Sequence, residues 1–153
     1  MYLCIRKAYY IIYKGIMTLS EIEGKLASEQ EKQGVSYTFL VKNGLGYSTV
    51  KKIQTGENYQ VRRLFTYLNF LCLFLMVDGY VMEDIEELGA YLSRRRLELG
   101  LTLGRVAGSM GTSIGIVQKI EKGKGYNRDS LLKYLEVTGN IEFDIVEMVD
   151  YFD

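Results

Sequence analysis

The side chains of this chain that can do chemistry are mostly cations, amides and hydroxyls. Histidine is absent, which excludes Ser-His-Asp and Cys-His nucleophiles and most zinc sites. The two cysteines, Cys4 and Cys72, form no Cys-x-x-Cys pair, and Cys72, inside an apolar run, is expected in the core. No motif places two carboxylates together, so acid–base chemistry is not expected. The expectation is a protein that is not an enzyme and needs no cofactor or metal. Binding chemistry is left. Nineteen Lys/Arg balance nineteen Asp/Glu over the whole chain, yet residues 94–133 hold nine basic and three acidic residues, a local +6. The acids gather at Glu83, Asp84, Glu86 and Glu87 and in the tail from Glu136 to Asp153. That distribution suits a polyanion at a local surface. The run Arg94–Arg96 reads as a solvated face, with a phosphate-contacting edge as the alternative.

The elements that must position these groups come in two copies. "TVKKIQTGENYQVRRLFTYL" at 49–68 and "IVQKIEKGKGYNRDSLLKYL" at 116–135 agree at eight of twenty positions with an offset of 67. Matched apolar residues at helical spacing, with a glycine and a tyrosine at fixed distances, indicate one folding unit used twice. Upstream, Leu19, Ile22 and Leu26 form a helical stripe whose counterpart, at an offset of 66, is Ile85, Leu88 and Leu92. Capping boxes open both helices: Thr18 with Glu21 or Ser20 with Glu23, and Asp84 with Glu87. Gly34 and Gly100 end them. A residue is therefore gained or lost near the next turn.

In the second copy, Thr102 is the expected N-cap of a helix that buries Leu103, Val106 and Ala107. Gly111 makes the bend, Ser113 caps a helix that buries Val117 and Ile120, and Gly123 ends it. A fourth helix is expected at about 129–138. Apolar tails at 71–77 and 141–148 follow the two copies. The second alternates and reads as a strand; the first fits a strand or a continued helix. Two such strands could pair and clamp the copies together. The organisation expected is a leader at 1–16, outside the repeat and either a strand or disordered, a first unit at 17–78, a short linker at about 78–84 and a second unit at 84–153. Met17 is the alternative translation start. The run at 64–77 is too short for a membrane span, which needs ~20 apolar residues, and no signal-peptide pattern is complete. A cytoplasmic protein with no membrane partner is expected.

The stretch "TLGRVAGSMGTSIGIVQKIEKGKG" resembles the Cro/lambda-repressor-like helix-turn-helix, the Xre family. The resemblance rests on a Thr-capped helix, Val106-Ala107, Gly111, Ser113, Val117, Ile120-Glu121 and Gly123, and covers about 84–138. The first copy resembles it more loosely over 17–68, through Phe39-Leu40, Gly44, Val50, Ile53 and Gly56. The implied fold is mostly α, two lambda-repressor-like bundles in tandem with short strands after each. The implied function is a transcriptional regulator that lays a helix of each unit in the major groove of double-stranded DNA. Groove-facing positions would be Tyr47, Ser48 and Lys51 in copy one and Ile114, Gly115 and Gln118 in copy two. Lys52, Arg105, Lys119, Lys122 and Lys124 would contact phosphates, and Thr102 and Ser113 stand at helix starts on the same side. Tyr59 and Tyr126 are expected to pack loops, and Glu121 to bond nearby backbone or an arginine. Ile114, Gly115 and Leu103 depart from the polar residues usual at reading positions. Ile114, Leu103 and the apolar tails motivate the alternative: a protein-interaction module, or an antitoxin-like partner with weakened DNA reading. A homodimer is a further expectation.

Overall fold

A computed structural model describes residues 5–11 and 17–152, with side-chain detail over 17–147. The element order is β1 (Ile5–Ile11), α1 (Leu19–Lys32), α2 (Tyr37–Lys42), α3 (Tyr47–Thr55), α4 (Val61–Phe70), β2 (Leu73–Val77), β3 (Tyr80–Met82), α5 (Ile85–Glu98), α6 (Leu103–Met110), α7 (Ile114–Lys122), α8 (Arg128–Thr138) and β4 (Phe143–Phe152). The fold is mostly helical with one small sheet. No helix among the described residues is long and apolar enough to cross a membrane.

Local chemistry sets the helix starts. Thr18, Ser36, Asp84, Thr102 and Asn127 each accept a backbone N–H of the first turn, so α1, α2, α5, α6 and α8 begin where a hydroxyl, carboxylate or amide can replace the missing helical partner. Ser20 and Glu23, the other candidate box, do no capping; both are drawn into a contact described below. The stripes Leu19/Ile22/Leu26 and Ile85/Leu88/Leu92 are buried, and with Val50, Ile53, Val117, Ile120, Leu131 and Leu135 they join one continuous core.

The extra residue of copy two falls between the N-cap of α6 and its terminal glycine. Gly44 follows Ser36 by eight positions, whereas Gly111 follows Thr102 by nine. One residue turns a helix by about 100°. Val106 and Ala107 thus both face the core, whereas in α2 only Leu40 does; Phe39, matched to Val106 in the sequence, is left 46% exposed and packs edge-on to Phe70 at 5.6 Å.

The sheet order is β1-β4-β2-β3, all antiparallel. Its logic corrects two readings. The stretch expected as a linker is a two-residue hairpin turn, Asp78-Gly79 with φ of 49° and 84°, leading into β3. Positive φ at both positions is the geometry that hairpins favour, and Asp-Gly supplies it. The leader, set outside the repeat, is within it: over residues 5–11 it forms β1, while the rest of 1–16 lies outside the described residues. β1 precedes α1 as β3 precedes α5, and β2 follows α4 as β4 follows α8. The first strand of each copy pairs with the last strand of the other. Cys72, expected in the core, is exposed. It takes the left-handed residue (φ 56°) that turns α4 into β2, between buried Leu71 and Leu73.

A pseudo-two-fold axis relates the copies. Gln60 bridges Asn127, its own counterpart. Val61 N–H donates to the Tyr126 carbonyl at 3.0 Å, and Arg128 N–H to the Tyr59 carbonyl at 2.8 Å, the same bond made twice. β2 and β4 pair around Leu75 and Ile145. The side chains at this join break the symmetry. Arg128 donates a two-pronged hydrogen bond to the fully buried carboxylate of Glu23, at 2.7 and 2.8 Å, and a third bond to Ser20 Oγ at 3.0 Å. Tyr59 donates its hydroxyl to the same carboxylate. The Glu23 hydrogen bonds hold the Arg128 guanidinium above the ordinary arginine value. By position the counterpart of Glu23 in copy two is Gly89, and that of Arg128 in copy one is Val61. Gly89 lets α5 approach α7, since a Cβ there would lie 2.6 Å from the Glu121 carbonyl oxygen. Tyr126, counterpart of Tyr59, is left with a buried hydroxyl that has no hydrogen-bond partner among the described residues.

Each copy also carries a buried polar triad at matching positions. In copy two, Arg96 grips Glu121 at 2.7 and 3.0 Å, and Tyr134 donates to Glu121 at 2.8 Å. This is the arginine expected for Glu121. In copy one, Gln54 donates to Gln30 at 3.3 Å and to the Tyr67 hydroxyl at 2.8 Å, and Tyr67 donates to Gln30. A charged pair and a neutral pair solve the same packing problem.

The buried polar groups set how stability responds to mutation and to pH. Arg128→Ala strands the Glu23 carboxylate and should cost about 3–5 kcal/mol in urea unfolding. Tyr59→Phe should cost about 1–3 kcal/mol, whereas Tyr126→Phe removes an unpaired hydroxyl and should be neutral or stabilising. Equal losses for the two tyrosines would contradict this asymmetry. Burial pushes the Tyr67 hydroxyl up to about 12, and burial, then Glu23, pushes Tyr59 well above its ordinary value. The folded state thus holds these protons more tightly than the unfolded chain, whose tyrosines ionise near ~10. Stability is intact below that pH and falls as pH climbs from about 10 toward 12. Urea midpoints measured from pH 8 upward should decline only above about 10.

Candidate nucleic-acid interface

The residues singled out by sequence lie outside the core. Tyr47, Ser48, Lys52, Thr102, Arg105, Ser113, Ile114, Gln118, Lys119, Lys122 and Lys124 are exposed, and Lys51 is half-buried. Helical phase explains why: Val50 and Ile53 pin one face of α3, and Val117 and Ile120 one face of α7. That turns Tyr47, Ser48 and Lys52, and their counterparts Ile114, Gly115 and Lys119, outward.

Both of these helices start without a side-chain cap. Gly46 has no side chain to offer α3, and Ser113, expected to cap α7, makes no capping bond although it holds the extended N-cap conformation. First-turn N–H groups, with the positive end of the helix dipole, are thereby left to solvent or an anion. Thr102 differs, because its hydroxyl already accepts the Arg105 N–H at 3.1 Å.

Copy one carries a cationic–aromatic cluster at this end. Lys51 Nζ stands 5.3 Å from the Tyr37 ring centroid and 5.5 Å from that of Tyr47, and the two rings meet at 4.9 Å and 61°. Contact with the Tyr37 hydroxyl raises the Lys51 ammonium above the usual lysine value, so it stays charged. Beside it, Thr49, Lys52, Asn58, Tyr59, Gln60, Arg63 and Asn127 line a cleft of about 300 Å³ at the join of the copies. Two cations, three amides, a threonine and a tyrosine line it, with no carboxylate. Such a surface takes an anionic oxygen by charge-assisted hydrogen bonding. Sequence reasoning missed Thr49, Asn58, Gln60, Arg63 and Asn127; the only available signal was their place around the repeated Gly-x-x-Tyr.

Copy two offers something else. Ile114 is 46% exposed and lies beside Gly104 and Gly115; at these two and at Gly108 on α6 an added Cβ would meet nothing closer than 3.6 Å. The local +6 falls by only one when the buried pairs are set aside: Arg96 and Glu121 cancel within the segment, and Arg128 pairs with Glu23 outside it. Arg95 donates to the Gly139 and Asn140 carbonyls at 2.8 and 3.1 Å, satisfying the end of α8. Within the Arg94–Arg96 run, only Arg94 is exposed, so neither a solvated face nor a phosphate edge describes the other two. Arg62 likewise donates to the Gly123 carbonyl at 2.9 Å.

Comparison with family models, with curated proteins and with solved structures finds no match to this chain.

The bare surface of copy two gives a stability prediction. Gly108→Ala should stabilise the fold by about 0.4–1 kcal/mol, because open space lies where the methyl would go and alanine lowers the entropy of the unfolded chain. Gly24→Ala, exposed on α1 with nothing within 4 Å, is the matched control. Thermal unfolding of both variants is the measurement; a loss at Gly108 alone would show that its bareness serves packing.

Proposed function

We propose that this chain binds double-stranded DNA as a transcriptional regulator, with α2–α3 and α6–α7 acting as two helix-turn-helix units of the Xre type. One observation carries the reading: α3 and α7 keep Val50/Ile53 and Val117/Ile120 in the core and expose Tyr47, Ser48, Ile114, Gly115 and Gln118, with Lys51 half-buried beside them, the residues that the resemblance assigns to the groove. Three further features support it. The N-termini of α3 and α7 lack side-chain caps, which suits phosphate oxygens. A carboxylate-free cleft lies between the copies. Lys52 and Lys119 are the same residue at the same repeat position, as a contact to a uniform backbone would require.

A salt-titrated mobility-shift assay tests the reading. Genomic fragments should be retained at low salt, with affinity falling steeply as salt rises. Lys52→Ala and Lys119→Ala should each weaken binding across all sequences and reduce the slope by ~0.9. No retention above background at low salt would refute DNA binding.

A second reading draws on the exposed apolar residues of copy two. Leu97 and Leu99 are 63% and 53% exposed and Ile114 46%. Apolar groups at such positions fit a protein partner, as in an antitoxin-like module. A stoichiometric protein recovered from the native host together with the chain, and released by Ile114→Lys, would favour it.

A further inference from the structure

The two outward helices are symmetric in backbone and unlike in chemistry. Their equivalence comes from the Gln60–Asn127 bridge, the doubled Tyr59/Arg128 and Tyr126/Val61 bonds and the β2–β4 pairing. At an offset of 67, Tyr47 faces Ile114, Ser48 faces Gly115, Lys51 faces Gln118 and Lys52 faces Lys119. Only the last pair is retained. Around the cleft the same comparison sets Thr49 against Ile116, Asn58 against Gly125 and Arg63 against Ser130. Copy one therefore brings a phenol, a hydroxyl, an ammonium and a second cation in the cleft. Copy two brings a branched sec-butyl wedge, a bare backbone and one carboxamide.

Resting on the DNA-binding reading, we infer that the chain recognises a directional, non-palindromic duplex with two chemically different half-sites. Lys51 and Ser48 can donate to the acceptor-rich major-groove edge of guanine, O6 and N7. Gln118 suits the N6/N7 edge of adenine, and Ile114 suits the thymine C5-methyl. The phosphate grip is unlike too: copy one sets Lys52 and Arg63 in the cleft, whereas copy two carries Arg105, Lys119, Lys122 and Lys124 outside it. Since the copies are joined in one chain, their order is fixed. Reversing one half-site of the duplex then presents each helix with the wrong edge.

The test uses the full chain and a random-duplex library at low salt, with surface variants checked for unchanged thermal unfolding. The expected consensus is non-palindromic. Lys51→Ala should lower affinity for it about tenfold and relax base preference in one half only, and Gln118→Ala should relax the other half only. Arg63→Ala should weaken binding without altering preference in either half. A duplex built from two copies of one half-site should bind at least about tenfold more weakly than the natural pair. A palindromic consensus, or either reading variant relaxing both halves, overturns the directional reading while leaving DNA binding in place. Failure to retain any duplex overturns both.

Discussion

The buried contact between Glu23 and Arg128 governs how the two halves meet. A carboxylate with no exposed surface is tolerable only with an opposite charge and donors for its remaining lone pairs. Arg128, from 105 residues away, supplies the charge, and Tyr59 a further donor. The contact is one-sided: the symmetric position holds Gly89 and Val61. Two first halves paired with each other would each bury Glu23 against Val61. Two second halves would each lodge Arg128 against Gly89. Both alternatives leave charges unmet, so the pair favours the mixed arrangement by penalising the like ones. The strand exchange, with each half's opening strand beside the other's closing strand, binds the same partners a second time.

The polar triads show how far the halves have diverged inside while keeping one backbone. Gln30, Gln54 and Tyr67 stand where Arg96, Glu121 and Tyr134 stand. Neither member of the charged pair would be satisfied beside a neutral partner: Glu121 facing a glutamine would keep a buried charge uncompensated, and Arg96 likewise. The two positions must change together, which is the signature of contact within a duplicated unit. The retained tyrosine serves both versions because its hydroxyl can donate to a carboxylate or exchange bonds with amides.

What the sequence revealed was local. Caps, stripes and terminal glycines are decided within a turn or two, so the helices, Thr18, Asp84 and Thr102 as N-caps, and the buried faces of α3 and α7 were legible. What it hid was the fate of charges. Nothing local marks Arg128 as belonging to Glu23, Arg96 to Glu121 or Arg95 to the end of α8, so composition alone does not tell which cations of the positive segment are held inside and which face solvent. Residues 5–11 take the strand alternative offered for the leader, but its place in the repeat, and the hairpin within the expected linker, were hidden for a related reason. β1 and β3 share strand order with respect to the helices but no residue pattern, and order becomes visible only once β4 and β2 are seen between them. Phe39 matches Val106 by letters yet lies exposed, because the one-residue difference rotates α2, and an alignment by letters cannot see rotation. Ser113 has the right residue type for a cap and still makes no capping bond.

The join of the halves and their outer helices share few residues. A symmetric assembly of identical subunits receives every substitution twice, so an improvement on one face is imposed on the other. Here a change at Tyr47 leaves Ile114 as it was, and neither touches Glu23 or Arg128. Each outer face can drift, be lost or be redesigned alone while its twin keeps working, a freedom that gene duplication grants only once the two halves are held together by unlike residues.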